Sequence, residues 1–388
     1  MKLSRSTAAL AAALLIPAVA SCTDNTVASS ASAGGSRSVE VTSTDEGCDL
    51  SSTTAPAGRL VYTIRNQGTQ VTEFYLYGAD GLRVVGEVEN IGPGLSRDLV
   101  VNAAAGNYVA ACKPGMKGRG IRSDFRVRPS EEAADLGSTS AQVDAANEHY
   151  ASYVEDQAAQ LLAGTRRFAA AYEHGDDARA RALYPSVRTH WERIEPVAES
   201  FGDLDPRMDA READLEPGQA WTGWHRIEKD LWPPAHGYTA LTRARRVEVA
   251  RRLVADTATL HERIGKLSFS VDQIGNGAKS LLDEVATGKV TGEEEVWSHT
   301  DLYDFAANVD GARVAFEGLA PVLDEKDPAL SMQIEQRFAA LEQLLHRYRT
   351  EHGFVSYDRL DTRQVKQLSD AVNALSEPLS RLTAAVTL

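Results

Sequence analysis

Along the 388 residues the spacing of apolar positions changes once, near residue 140. From Val39 to Val127 they fall in short runs rich in β-branched and aromatic residues: Leu60-Val61-Tyr62-Thr63-Ile64, Glu73-Phe74-Tyr75-Leu76-Tyr77, the stretch from Leu82 to Val88, Asp98-Leu99-Val100-Val101, and Tyr108-Val109-Ala110-Ala111-Cys112. Asn66-Gln67-Gly68, Asp80-Gly81, Gly92-Pro93-Gly94 and Pro114-Gly115 separate these runs, and turn residues at such intervals predict a small β-sandwich. Past a polar, acidic stretch from Pro129 to Thr139, the apolar period becomes about 3.6 residues. Tyr150, Val154, Ala158, Leu161, Leu162 and Phe168 line up as one stripe, predicting a helix from Ala141 to His174. Further helices are expected over 176–201, 223–231, 240–266, 268–287, 301–323, 328–351 and 361–386, with Gly or Pro at most junctions. The expected fold class is multidomain: an N-terminal all-β sandwich followed by an all-α helical bundle.

The chain starts with a basic segment (Lys2, Arg5) and an Ala/Leu-rich stretch from Ala8 to Ala20, too short for a permanent membrane span and therefore read as a signal peptide. Val19-Ala20-Ser21-Cys22 resembles the bacterial lipobox, which implies lipidation of Cys22 and tethering to the outer face of the cytoplasmic membrane. The alternative is ordinary secretory cleavage with Cys22 incidental. The expected divisions are a signal peptide over 1–21, a Ser/Ala/Gly-rich tether over 22–38, a sandwich over 39–129, a linker over 130–140 and a helical domain over 141–388.

Charge separates the two parts. The first 130 residues hold 13 Lys/Arg and 11 Asp/Glu, the remainder 28 against 44, and the whole chain carries −14. An acidic chain of this kind excludes a nucleic-acid partner, which needs a basic stripe, and favours cations. All nine His lie beyond residue 130, and all three Cys before it.

The Tyr108 strand running into Cys112-Lys113-Pro114-Gly115-Met116, with the Asn66-Gln67-Gly68 turn, resembles the cupredoxins. Type-1 copper needs two His and a thiolate, and residues 23–130 contain no His, so blue-copper electron transfer is excluded. Two readings remain for Cys48 and Cys112: a disulfide, as expected of an exported domain, or a second metal site with Glu73.

In the second part, chemistry concentrates in His190-Trp191-Glu192-Arg193-Ile194-Glu195-Pro196, in the Asp-rich segment from Phe201 to Glu212, and in Gly223-Trp224-His225-Arg226-Ile227-Glu228. His225 and Glu228 are three apart, so a helix projects both from one face toward one ion. Trp221, Trp224 and Trp232 supply a shell to bury them, and a buried carboxylate cluster needs a cation to offset its desolvation. Glu293-Glu294-Glu295 reads as an acidic run at a helix N-terminus, and His299 with Asp301 and Asp304 as a capping and packing group.

These segments, with the later Ser298-His299-Thr300-Asp301-Leu302-Tyr303-Asp304-Phe305 and Asn308-Val309-Asp310-Gly311-Ala312, occur in the order of the imelysin-like peptidase family, which the chain resembles over about residues 40–388. With its N-terminal module, it resembles those members that serve as extracytoplasmic components of bacterial iron-uptake systems. The resemblance implies a metal site of Glu192, Asp209, His225 and Glu228, with Glu195 and Asp205 as near alternatives, and Cys48, Glu73 and Cys112 as a second site. It implies iron, Fe2+ or Fe3+, as cargo, with zinc or copper as alternatives, and as partners an iron permease in the cytoplasmic membrane and a secreted haem peroxidase. No catalytic residue is assigned. The competing expectation is a zinc-dependent metallopeptidase, but the H-E-x-x-H pattern is absent: His261-Glu262 is followed by Arg263-Ile264-Gly265.

Overall fold

The structure, a computed structural model, describes residues 37–79, 81, 84–116, 120–130 and 141–387. The expected signal peptide and Cys22 lie outside the described residues. The period-2 runs form two facing sheets. Ser38–Ser43 (β1), Cys48–Leu50 (β2), Gly58–Asn66 (β4) and Ser96–Ala103 (β7) make one, in the order β2-β1-β4-β7. Thr54–Pro56 (β3), Thr72–Tyr77 (β5), Val84–Ile91 (β6), Gly106–Cys112 (β8) and Ile121–Arg128 (β9) make the other, in the order β3-β9-β8-β5-β6. Along β4 the even positions Leu60, Tyr62 and Ile64 point inward and are fully buried. The Tyr62 ring lies 5.3 Å from Phe74 and 5.5 Å from Phe125 of the opposite sheet, packing worth about 1.5–3 kcal/mol for each large side chain removed from water. The Asn66 turn explains itself: Nδ2 donates to the carbonyls of Gln70 and Ile91 at 2.8 and 2.7 Å, while Oδ1 accepts from the Gly68 amide at 2.9 Å.

Cys48 and Cys112 are joined in a disulfide linking β2 of one sheet to β8 of the other. Each sulfur is therefore covalently committed, and neither is a thiolate able to hold a metal, so the second site of Cys48, Glu73 and Cys112 loses both its sulfur donors. Glu73 is buried beside Lys113 Nζ at 4.0 Å, and burial, reinforced by Glu89, pushes its carboxyl up to about 7.

The 3.6-residue pattern becomes helices Ala141–His174 (α1), Asp177–Glu192 (α2), Glu195–Glu199 (α3), Asp205–Met208 (α4), Trp224–Leu231 (α5), Arg243–Ile264 (α6), Val271–Thr287 (α7), Asp301–Lys326 (α8), Pro328–His346 (α9), Thr362–Leu379 (α10) and Leu382–Thr387 (α11). Every residue of the predicted α1 stripe is buried, and α1 packs on α2, α6 and α8. Three expected helices are shorter or broken. The 176–201 stretch stops at Glu192 and restarts at Glu195, with Pro196 in the new first turn, where its missing amide costs nothing. The stretch expected to run to 351 ends at His346 and gives way to a two-stranded hairpin, Arg349–Thr350 (β10) with Gly353–Phe354 (β11). The last expected helix breaks at Ser380, two residues after Pro378. Sandwich and bundle meet where α7 faces β6 and β7, and Asn276 Nδ2 donates to the Val100 carbonyl at 3.0 Å. Among the described residues no helix is long and apolar enough to cross a membrane.

The disulfide spans 64 residues, so in the chain-entropy account it stabilises the fold by about 4 kcal/mol. Oxidised protein should carry no reactive thiol from Cys48 or Cys112, and reduction or Cys48→Ala/Cys112→Ala should lower the urea midpoint. An unchanged midpoint would contradict that contribution.

Candidate metal centre

The last turn of α2 positions the centre. Tyr184, Arg188, Trp191 and Glu192 share its inner face, and Arg188 and Glu192 are both fully buried, four residues apart. Because α2 ends at Glu192, the chain can turn and bring Glu195 back beside it. Asp209 arrives on the loop after α4, and this loop is locked to the start of α5 by three contacts. Trp221 Nε1 donates to the Ala210 carbonyl and Thr222 Oγ1 to the Arg207 carbonyl, both at 2.7 Å. The third is a close backbone approach at Gly223, which has φ 92° and where a Cβ would stand 2.1 Å from the Met208 carbonyl oxygen. Only glycine fits.

His225 and Glu228 then project from α5. His225 Nδ1 lies 3.1 Å from Glu228 Oε2, and its Nε2 faces Asp209 Oδ1 and Glu294 Oε1, each at 3.4 Å, without forming a hydrogen bond. Glu228 Oε1 accepts from the amides of Trp297 and Ser298 at 3.0 and 2.7 Å, and Trp191 Nε1 donates to Asp209 Oδ2 at 2.7 Å. Three overlapping groups have donor atoms within 4.8 Å of one another: Asp209, His225 and Glu294; His225, Glu228 and Glu295; and Glu192, Glu195 and Asp209. No one of these groups contains all four residues expected from the sequence; Asp209 and His225, each in two groups, link Glu192 at one end to Glu228 at the other. Glu195 joins them, whereas Asp205 stands outside these three groups.

Two internal cations complete the cluster, and the sequence did not single out either. Arg188 is paired with Glu192 and Asp209, with Glu294 at 3.1 Å and with Glu295 at 2.7 Å. Lys289 Nζ is paired with Glu192 and lies 2.6 Å from Glu195, while Asn308 Nδ2 donates to both carboxylates at 3.2 and 3.1 Å. Glu294 and Glu295 sit in the turns before α8 with their side chains buried, so the acidic run is not the helix start it was expected to be. Asp301 Oδ1 accepts from the Glu295 amide at 3.1 Å and so ties the preceding turns to the start of α8 without capping it, while Asp304 is turned into the cluster. The signal that could have flagged Arg188 was its place on the same helix face as Trp191 and Glu192.

Seven carboxylates, those of Glu192, Glu195, Asp209, Glu228, Glu294, Glu295 and Asp304, thus share Arg188, Lys289 and one imidazole, with the partly exposed Arg211 reaching Glu294 Oε2 at 3.7 Å from outside. The imbalance divides them. Asp209 is held well below the usual range because Arg188 and His225 outweigh the burial that opposes ionisation, and Lys289 and His225 likewise bring Glu294 down to about 2. Burial, with Glu195 adding to it, pushes Glu192 up to about 8; burial also raises Glu195, Glu295 and Asp304 well above their ordinary values. For His225, burial and Arg188 oppose the imidazolium, but Asp209, Glu228 and Glu294 prevail and raise it. A further cation entering here would favour the ionised form of the carboxylates that burial now raises.

The family profile for imelysin matches residues 146–382, and that for a cupredoxin-like domain matches residues 10–121. The chain belongs to the imelysin family. This imelysin-family chain is 36% identical over 349 residues to "Iron uptake system component EfeO" of Escherichia coli strain K12, covering 89% of this chain and 90% of that protein. Proteins of the same name from Shigella flexneri and Shigella sonnei match to the same extent. The two-part architecture expected from the sequence, cupredoxin-like and then imelysin-like, is the one these matches describe.

Two outcomes follow for the imelysin domain. In metal-stripped protein, Glu192 binds a proton more tightly folded than unfolded, as does His225, so stability is greatest below the unfolded values and falls as pH rises from about 5 to about 8. The lowered Asp209 and Glu294 have the opposite sign, but only in acid below that window. Glu192→Gln should flatten the melting temperature against pH, whereas a rising curve in the unmutated chain would contradict the charge imbalance. Gly223→Ala should cost at least about 1–3 kcal/mol in backbone strain alone and weaken metal binding by shifting the Asp209 loop. Unchanged stability there would contradict the close approach.

Proposed function

We propose that this chain is the extracytoplasmic iron-binding component of an iron-uptake system of the EfeUOB type. In this reading Glu192, Asp209, His225 and Glu228, joined by Glu294 and Glu295, capture one iron ion, and the protein passes it to a permease in the cytoplasmic membrane. A secreted haem peroxidase works beside it, and lipidation at Cys22 keeps the carrier at the membrane surface. The observation that carries the proposal is the buried excess of carboxylate around His225, whose Nε2 lacks a hydrogen-bond partner. One imidazole with several carboxylates suits iron, manganese or zinc better than Cu(I). The name carried by the relatives in Escherichia coli and Shigella favours iron among these. The acidic surplus of the helical part draws cations toward the site.

A carrier is favoured over a peptidase because His225 has no second His one turn away to complete a catalytic zinc triad, and Glu228 is already fixed by two backbone amides. Anaerobic titration with Fe(II), followed by elemental analysis, should give one tight equivalent per chain. His225→Ala and Glu228→Ala should each weaken it by on the order of a hundredfold or more, with the helical circular dichroism unchanged. Metal-dependent peptide cleavage that vanishes in Glu228→Ala would replace the carrier reading with the peptidase.

A further inference from the structure

Arg188 is fully buried at the middle of the cluster, and the oxygens it holds, on Asp209, Glu192, Glu294 and Glu295, belong to the groups able to ligate an ion. Arg188 pairs with Asp209 Oδ1 and Glu294 Oε1, the same two oxygens that face His225 Nε2 at 3.4 Å, so an ion bound between His225 and those oxygens competes with the guanidinium for the same atoms and is repelled by its charge. One further side chain bears on this. Asp304 is 1% exposed, and neither of its carboxylate oxygens has a hydrogen-bond partner, although Arg188 Nε stands only 3.6 Å from Oδ1. A buried carboxyl without a hydrogen bond is costly, and Arg188 is the neighbouring group placed to supply one. The geometry points to Arg188 as a built-in competitor of the cargo ion, which yields Asp209 and Glu294 to the ion on capture, moves onto Asp304, and returns on release.

This rests on the metal-carrier reading and deepens it: binding becomes the exchange of one cation for another inside the same carboxylate cage. The cage keeps a counter-ion throughout, so the carboxylates are never left together without one, and a tightly held ion can still be surrendered because a replacement stands a few ångströms away. In this arrangement Arg188 and Asp304 are positioning residues and neither ligates the metal. Lys289 stays in place, because Glu195 holds it on the far side of Glu192 and the Asn308 amide fixes those two carboxylates.

The test is a double-mutant cycle on the full chain, with anaerobic Fe(II) as the probe in calorimetry. Arg188→Gln should bind Fe(II) at least tenfold more tightly than the unmutated chain, Arg188→Lys should fall between them, and metal-stripped Arg188→Gln should melt lower. Asp304→Asn should weaken binding about tenfold in the unmutated background and have no effect beside Arg188→Gln. A purely structural arginine predicts weaker binding in Arg188→Gln, and that result, or an unchanged affinity, overturns the exchange. Equal weakening by Asp304→Asn in both backgrounds makes Asp304 a ligand and also overturns it. Should the Arg188 variants not fold, the buried Nε–H of Arg188 in the unmutated protein gives an NMR readout with diamagnetic Zn(II): its resonance should shift on saturation, and one that stays put rejects the exchange. Failure of both the unmutated chain and Arg188→Gln to bind Fe(II) would overturn the carrier reading itself, whereas binding with no gain in Arg188→Gln overturns the exchange alone.

Discussion

The centre of the helical domain is governed by one constraint: more carboxylate is buried there than the chain's own cations neutralise. Removing a carboxylate from water costs several kcal/mol unless it is paired, protonated or bound to an ion, and the cluster uses the first two remedies unequally. Arg188 and Lys289 serve some of the acids directly, leaving the remainder to hold protons or wait for a cation. A helical domain that needed only stability would fill this space with leucine. Retaining seven acids around one imidazole makes sense when the deficit of positive charge is itself the function.

The rest of the fold keeps that unfavourable arrangement from relaxing. Aromatic packing closes one side, with the rings of Phe168, Tyr184 and Trp224 at 5.3–6.0 Å from one another. Backbone amides at Trp297 and Ser298 fix Glu228, and Tyr184 and Ser298 hydroxyls hold Glu295 at 3.2 and 2.8 Å. Acids that repel one another would swing apart if their helices could slide. The contact of Gly223 with the Met208 carbonyl, and the Asn308 amide spanning Glu192 and Glu195, deny them that route.

The elements and half of the site could be read from the sequence because both are local properties. A stripe such as Tyr150 to Phe168 is set by the 3.6-residue period, and the His225–Glu228 pair by the three-residue spacing that a helix turns into a common face. The breaks at Glu192 and Ser380 were obscured because apolar periodicity continues through them, although Pro196 and Pro378 mark both. The other half of the site is a long-range property. Glu294 and Asp304 meet Arg188 from more than a hundred residues away, and nothing in their own neighbourhoods distinguishes them from an acidic helix start. The disulfide was one of two local readings, and the 5.5 Å Cα separation of Cys48 and Cys112 across the sheets decides it.

The same imbalance accounts for what the sandwich contributes, although it lacks the ligands of a copper protein. Through residue 130 its acids and bases nearly cancel, yet the acids are not spread evenly: Glu87 and Glu89 lie on β6, the strand that meets α7. Burial first and neighbouring acids next raise Glu73, Glu87 and Glu89 to about 7. Across the junction, Glu199 is raised by burial and then by Glu87, Glu284 and Glu89, and Glu284 reaches about 8. Glu284 lies 3.5 Å from Lys289, the lysine that holds Glu192 and Glu195. The carboxylates therefore form one electrostatic system reaching from the sandwich edge to Arg188, and adding positive charge at either end lowers the proton affinity of the acids between. A domain joined to the cluster in this way adds its own buried acids to the negative field around Glu284 and Lys289.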